Sequence, residues 1–130
     1  MENSELKILL VEDDNVARLM ETKTIQSLHC HIDAAKNGEE ALKLVRQNHY
    51  DIIFMDLMLP DTDGLTLTQA IRAIEARNQT VPIIALTSHG ENEYQNQATW
   101  VGMDGFLTKP LTNEKCQRAL QSFVRRTDKL

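Results

Sequence analysis

Short apolar runs alternate with longer amphipathic stretches along this chain. The runs are Leu6–Val11, Cys30–Ala35, Asp51–Asp56, Pro82–Thr87 and Asp104–Lys109. Three of them, LKILLV, DIIFMD and PIIALT, are almost continuously apolar. Strands read that way when both faces of a parallel sheet are covered; a half-exposed strand alternates instead. Between the runs, apolar residues recur at helical spacing: Ala41, Leu42 and Val45; Leu67, Ala70, Ile71 and Ile74; Cys116, Ala119, Leu120 and Phe123. The first helix, about Asn15 to Leu28, has a rougher stripe of Val16, Leu19, Met20, Ile25 and Leu28. A fourth, about Asn92 to Val101, is poor in strong helix formers. Tyr94, Ala98 and Val101 give it a narrow stripe, with Trp100 beside it toward solvent. Five β-then-α units predict an α/β fold, an open parallel sheet with helices on both faces. Right-handed crossovers place every strand's carboxyl end on one edge, and ligands bind at that edge.

Composition narrows the class. At 130 residues the chain fits one domain with its own core, and no linker or repeat divides it. A formal net charge of -5 argues against a nucleic-acid surface. No apolar run approaches the roughly 20 residues of a membrane span, and Met-Glu-Asn-Ser does not resemble a signal peptide. Cys30 and Cys116 lie far apart with neither metal-ligand spacing nor a disulfide framework, which points to a reducing compartment. The expectation is a cytoplasmic domain without direct membrane contact and without a nucleic-acid partner.

The strand ends carry the chemistry. The first ends in Val11-Glu12-Asp13-Asp14, the third in Met55-Asp56, the fourth in Leu86-Thr87-Ser88, the fifth in Thr108-Lys109-Pro110. Folding brings these groups together. Clustered carboxylates repel and raise one another's pKa, a cost that a hard divalent cation such as Mg²⁺ removes. Glu12, Asp13 and Asp14 alone read equally well as a helix cap or as cation ligands; a further acid, Asp56, at another strand end favours the cation. Lysine ending an apolar strand is costly unless paired, and Asp56 with a phosphoryl group would pair Lys109. Thr87 has a hydroxyl to offer a phosphoryl oxygen. His29, Cys30 and His31 read as ordinary structure, because neighbours along a strand point to opposite faces. Asp61, Asp63 and Gly64 read as turn chemistry.

ILLVEDD, NGEEAL, YDIIFMDLMLPDTDG, VPIIALTS and GMDGFLTKPL, in this order, resemble the receiver (response-regulator) family over about Leu6 to Val124. The resemblance implies a flavodoxin-like, doubly wound five-stranded parallel sheet of order 2-1-3-4-5 with five helices. It implies a single receiver domain over residues 1–130, with its core at about 6–124. It makes Asp56 the phosphoacceptor. It places Mg²⁺, or Mn²⁺, on Glu12, Asp13, Asp56 and the backbone carbonyl of Met58. Thr87 and Lys109 would contact the phosphoryl group, and Thr87 with Phe106 would form the switch. It also implies a cis Lys109–Pro110 bond and, where the family has glycine after its first helix, a positive φ at His29. The donor would be a phosphohistidine on a histidine kinase or a histidine phosphotransfer domain. Met58 and His89 occupy the positions that overlook an attacking water, which implies a long-lived phosphate.

GMDGFLTKPL and IIALTS look most like receivers of hybrid sensor histidine kinases; a stand-alone response regulator is the alternative. A haloacid-dehalogenase-type phosphatase would carry its nucleophile on the first strand, with a second acid two residues later, where this chain has Met58. A flavin module would need a phosphate-cradling loop where Glu12-Asp13-Asp14 stands.

Overall fold

Alternation within the buried strands creates two separate cores, and this organises the molecule. The computed structural model describes residues 5–74, 80–88 and 102–124. Its strands are β1 (Lys7–Val11), β2 (His31–Ala35), β3 (Ile52–Asp56), β4 (Ile83–Thr87) and β5 (Gly105–Thr108). Its described helices are α1 (Asn15–Gln26), α2 (Gly38–Gln47), α3 (Gly64–Ile74) and α4 (Asn113–Phe123). The sheet runs β2-β1-β3-β4-β5, and every pairing is parallel. On one face Leu9, Val11, Ile53, Met55, Ile83 and Ala85 pack with Ala41 and Val45 of α2 and with Leu67 and Ile71 of α3. On the other, Ile8, Leu10, Ile52, Phe54, Ile84 and Leu86 pack with Ile25 of α1 and with Cys116, Ala119 and Leu120 of α4. Neighbours along a strand serve opposite cores, which is why β1, β3 and β4 carry no polar residue between their first and last positions.

The expected strands are present, each shorter by a residue at one or both ends. The four described helices fall where expected. The helix expected over 92–101, with Trp100, and His89 lie outside the described residues, so the fold is a five-stranded sheet with four helices among those described. The stripe expected along the first helix requires correction. Val16, Leu19 and Met20 are 66%, 57% and 63% exposed, and Glu21 and Ile25 are the buried residues of α1. The buried face follows the spacing Glu21, Ile25, Leu28, so the apolar residues at 16, 19 and 20 look outward. The helix ends at Ser27, and the chain then turns through His29 with φ 63°. Lys109–Pro110 is cis.

Candidate functional site

Parallel strands deliver their carboxyl ends to one edge, and register sets how close those ends come. Val11 pairs with Met55, Asp56 with Leu86, and Thr87 with Thr108, so Glu12, Asp56, Thr87 and Lys109 follow one another across the edge. The loop from β1 into α1 is fixed from both sides. Asp14 caps α1, accepting from the Ala17 amide at 2.7 Å. Arg18 reaches back and donates to the carbonyls of Glu12 and Asp13 at 3.1 and 3.2 Å. The three acids of the first strand end therefore divide: Asp14 serves the helix, while Glu12 and Asp13 face Asp56.

One carboxylate oxygen from each of Glu12, Asp13 and Asp56 lies within 4.8 Å of the others. Lys109 is the neutralising cation, its Nζ 2.8 Å from Glu12 Oε1 and 3.2 Å from Asp56 Oδ2. The Glu12 side chain is 1% exposed, that of Asp56 13% and that of Lys109 25%. A pair this dry contributes only if each charge is satisfied. Burial raises the pKa of Asp56, with Glu12 adding to the rise, while the Met58 amide at 3.1 Å and Lys109 oppose it. Burial opposes the charge on Lys109 too, yet Glu12 and Asp56 hold its pKa above the ordinary lysine value. Three carboxylates facing one ammonium leave negative charge over. The donor set is all hard oxygen, which suits a divalent cation of the Mg²⁺ kind and not a thiophilic metal.

Thr87 ends β4, is 7% exposed, and accepts from the Lys109 amide through its carbonyl at 2.7 Å. Phe106 pairs with Ala85 in β5 and packs, half-buried, against the core beneath α2 and α3. Met58 is 61% exposed, with its backbone paired to Asp63. The turn after Thr108 is held by Lys115, whose Nζ donates to the carbonyls of Thr108 and Pro110 at 2.7 and 3.2 Å. Cys116 is buried, which pushes its thiol up to about 12, and neither cysteine forms a disulfide.

Three residues around the site have roles that their sequence setting does not announce. Arg18 holds the acidic loop. Asp61 bonds to α2. Glu21, 5% exposed, adjoins Glu12 from α1, and its Oε1 has no hydrogen-bond partner among the described residues. Burial, then the charge of Glu12, pushes the carboxyl of Glu21 up to about 8. The one signal for Glu21 is an acid four residues before Ile25 and seven before Leu28.

A family model described as the response regulator receiver domain matches residues 8–121. The chain is 37% identical over 110 residues to the sensor protein GacS of Pseudomonas syringae pv. syringae, covering 82% of this chain and 12% of that protein. The chain spans about half or less of the length of the first curated relatives it matches. Among solved structures, the receiver domain of the sensor histidine kinase PA1611 from Pseudomonas aeruginosa PAO1 superposes with TM-score 0.83 at 34% identity. The match covers 91% of this chain and 96% of that one, which has a magnesium ion coordinated in its active site cleft. The receiver domain of the Saccharomyces cerevisiae response regulator Ssk1, crystallised with the histidine phosphotransfer protein Ypd1, gives TM-score 0.83 at 25% identity, covering 93% and 90%.

Proposed function

This chain belongs to the response regulator receiver domain family, the receivers of two-component signalling, and we propose that Asp56 accepts a phosphoryl group from a phosphohistidine of a partner protein. The observation that carries the reading is Lys109 Nζ lying between Glu12 and Asp56, three charged groups from three separate strands. Nothing in the packing of the sheet demands them there.

An oxygen of Asp56 attacks phosphorus in line with the imidazole nitrogen. The P–N bond breaks, and the nitrogen keeps the electron pair. Such transfer depends on positioning and on neutralising charge at the equatorial oxygens. Lys109 is placed to move from the carboxylates to one of those oxygens, and the Thr87 hydroxyl to donate to another. Glu12, Asp13, Asp56 and the Met58 carbonyl are the residues that would hold Mg²⁺ or Mn²⁺, which supplies the remaining positive charge when bound. Movement of Thr87 toward the phosphoryl group opens space beside β4, and Phe106 on the neighbouring strand is the aromatic that would report it. A partner must bring its histidine to this edge. Val16, Leu19 and Met20 of α1 and Met58 are the large apolar residues exposed among those described, and an exposed apolar patch marks an interaction surface. That supports a histidine kinase or a histidine phosphotransfer domain as partner.

The reading extends to one receiver domain over residues 1–130 with its core at about 6–124, in cytoplasmic surroundings; no described helix is long and apolar enough to cross a membrane. Among whole proteins, a hybrid sensor histidine kinase is the preferred context, supported by the match to hybrid signal transduction histidine kinase G of Dictyostelium discoideum. The haloacid-dehalogenase alternative fails, because the acid at issue ends the third strand and the family match covers both flanking regions. Incubation with phosphoramidate tests the reading through the mass of the intact chain. One phosphoryl group should be gained with Mg²⁺ and almost none in chelator or by Asp56→Asn. Equal labelling of Asp56→Asn and wild type refutes it.

A further inference from the structure

The loop after β3 leans on a helix that has no part in the charged cluster. Asp61 is exposed, yet both of its oxygens are engaged: Oδ1 accepts from the Gly38 amide at 2.8 Å and Oδ2 from the Glu39 amide at 3.0 Å. These are the first two amides of α2, and Asn37 takes the third, at Glu40, at 2.8 Å. Amides at a helix start have no partner within the helix and carry its positive end, so a carboxylate across them is held by charge as well as by geometry. The Gly38 amide is accordingly the first cause holding the pKa of Asp61 below the ordinary value. A steric contact lies beside the polar one. A Cβ at Gly38 would stand 2.6 Å from Thr62 Cγ2, so glycine is what lets the loop approach this closely.

Among the described residues, the loop's other hydrogen bonds run within itself, to Asp56 and to α3. Leu59 N donates to Thr62 O at 3.1 Å, Gly64 N to Leu57 O at 2.7 Å, and Asp63 accepts from Thr66 N at 2.7 Å. Met58 lies within this tied segment and donates its amide to Asp56. We propose that Asp61 is a positioning residue of the metal site, bridging the loop to α2 and so fixing the backbone from which Met58 offers its carbonyl. The inference rests on the metal reading given above. Groups that hold a ligand in place without touching the ion commonly govern its affinity.

Calorimetric titration of the full chain with Mg²⁺ tests it. Asp61→Ala should bind about tenfold more weakly, and Asp61→Asn, which keeps one acceptor oxygen, should fall between. Gly38→Ala should also weaken binding by pushing on Thr62, and Thr62→Ser added to it, which removes the Cγ2 methyl, should restore affinity. In metal-free Asp61→Ala the amides of Leu59 and Gly64 should exchange with solvent faster than in wild type. Wild-type affinity in Asp61→Ala with unchanged exchange overturns the inference alone, provided Asp13→Asn loses binding. A wild type that binds no Mg²⁺, or an Asp13→Asn variant that binds as tightly, overturns the metal reading and this inference with it.

Discussion

Glu21 is an acid at a helix position facing the core, and replacing it with glutamine should stabilise the metal-free protein in a pH-dependent way. Its carboxyl is 5% exposed and adjoins Glu12, and its pKa is pushed from 4.5 to about 8. The folded chain therefore keeps a proton that the unfolded chain releases above pH 4.5. A raised folded pKa on an acid means stability present below pH 4.5 and lost as pH rises to about 8, after which the loss is complete. Each pH unit in that window is worth about 1.4 kcal/mol. By pH 7 the cost is on the order of 3 kcal/mol. Glu21→Gln removes the titration while keeping the shape. For a chain of this size the gain corresponds to a Tm rise of about 10 °C at pH 7. Urea unfolding followed by circular dichroism, in chelator from pH 4 to pH 9, measures it. The stability difference between variant and wild type should grow from its value near pH 4.5 and level off above pH 8. A difference that does not change with pH, or a variant less stable than wild type at pH 8, refutes the reasoning.

Lys109→Met should destabilise the metal-free protein by about 2 kcal/mol, less than a fully buried pair because the ammonium is a quarter exposed. Added Mg²⁺ should raise the variant's Tm more than it raises that of wild type, and equal rises would count against Lys109 as the neutralising charge. The phosphate on Asp56 should be long-lived, since Met58 offers an attacking water only a weak acceptor. Met58→Asn should shorten the half-life after donor removal, and a wild-type half-life of seconds would reject this. Emission from Trp100, the single tryptophan, should change when beryllium trifluoride is added with Mg²⁺; unchanged emission at saturation rejects a coupling of Trp100 to the phosphorylation site.

The strands were legible because LKILLV, DIIFMD and PIIALT must satisfy two cores at once, a demand that leaves Lys7, at the start of its strand, as the one polar residue inside them. The convergence of Glu12, Asp13, Asp56, Thr87 and Lys109 followed from parallel connectivity, which brings all strand ends to one edge. The orientation of α1 was not legible. Val16, Leu19 and Met20 outweigh the true buried face in hydrophobicity, and only packing onto β1 and β2 decides which face turns inward. Periodicity alone does not orient a helix that has apolar residues on both sides. Glu21 was hidden by the same ambiguity, because its burial depends on that rotation. Asp61 looked like turn chemistry because its partners lie 23 and 22 residues earlier in the chain. Asp63, read in the same way, caps the helix that follows it. Arg18 acts five and six residues back, within reach of a helix start, yet an arginine there is ordinary enough to carry no signal of its own.

Asp56, the acid ending the third strand, and not its neighbours from the first, should become the acyl phosphate. Borohydride reduces an aspartyl phosphate to homoserine and leaves a free carboxylate untouched, so the position of the new homoserine marks the acceptor. The chain is phosphorylated with phosphoramidate and Mg²⁺, treated with borohydride, digested, and sequenced by mass spectrometry. Homoserine should appear at position 56 and nowhere else, and not at all when Mg²⁺ is chelated. Hydroxynorvaline at position 12, homoserine at position 13 or 14, or homoserine at position 56 to the same extent in chelator, would contradict this assignment.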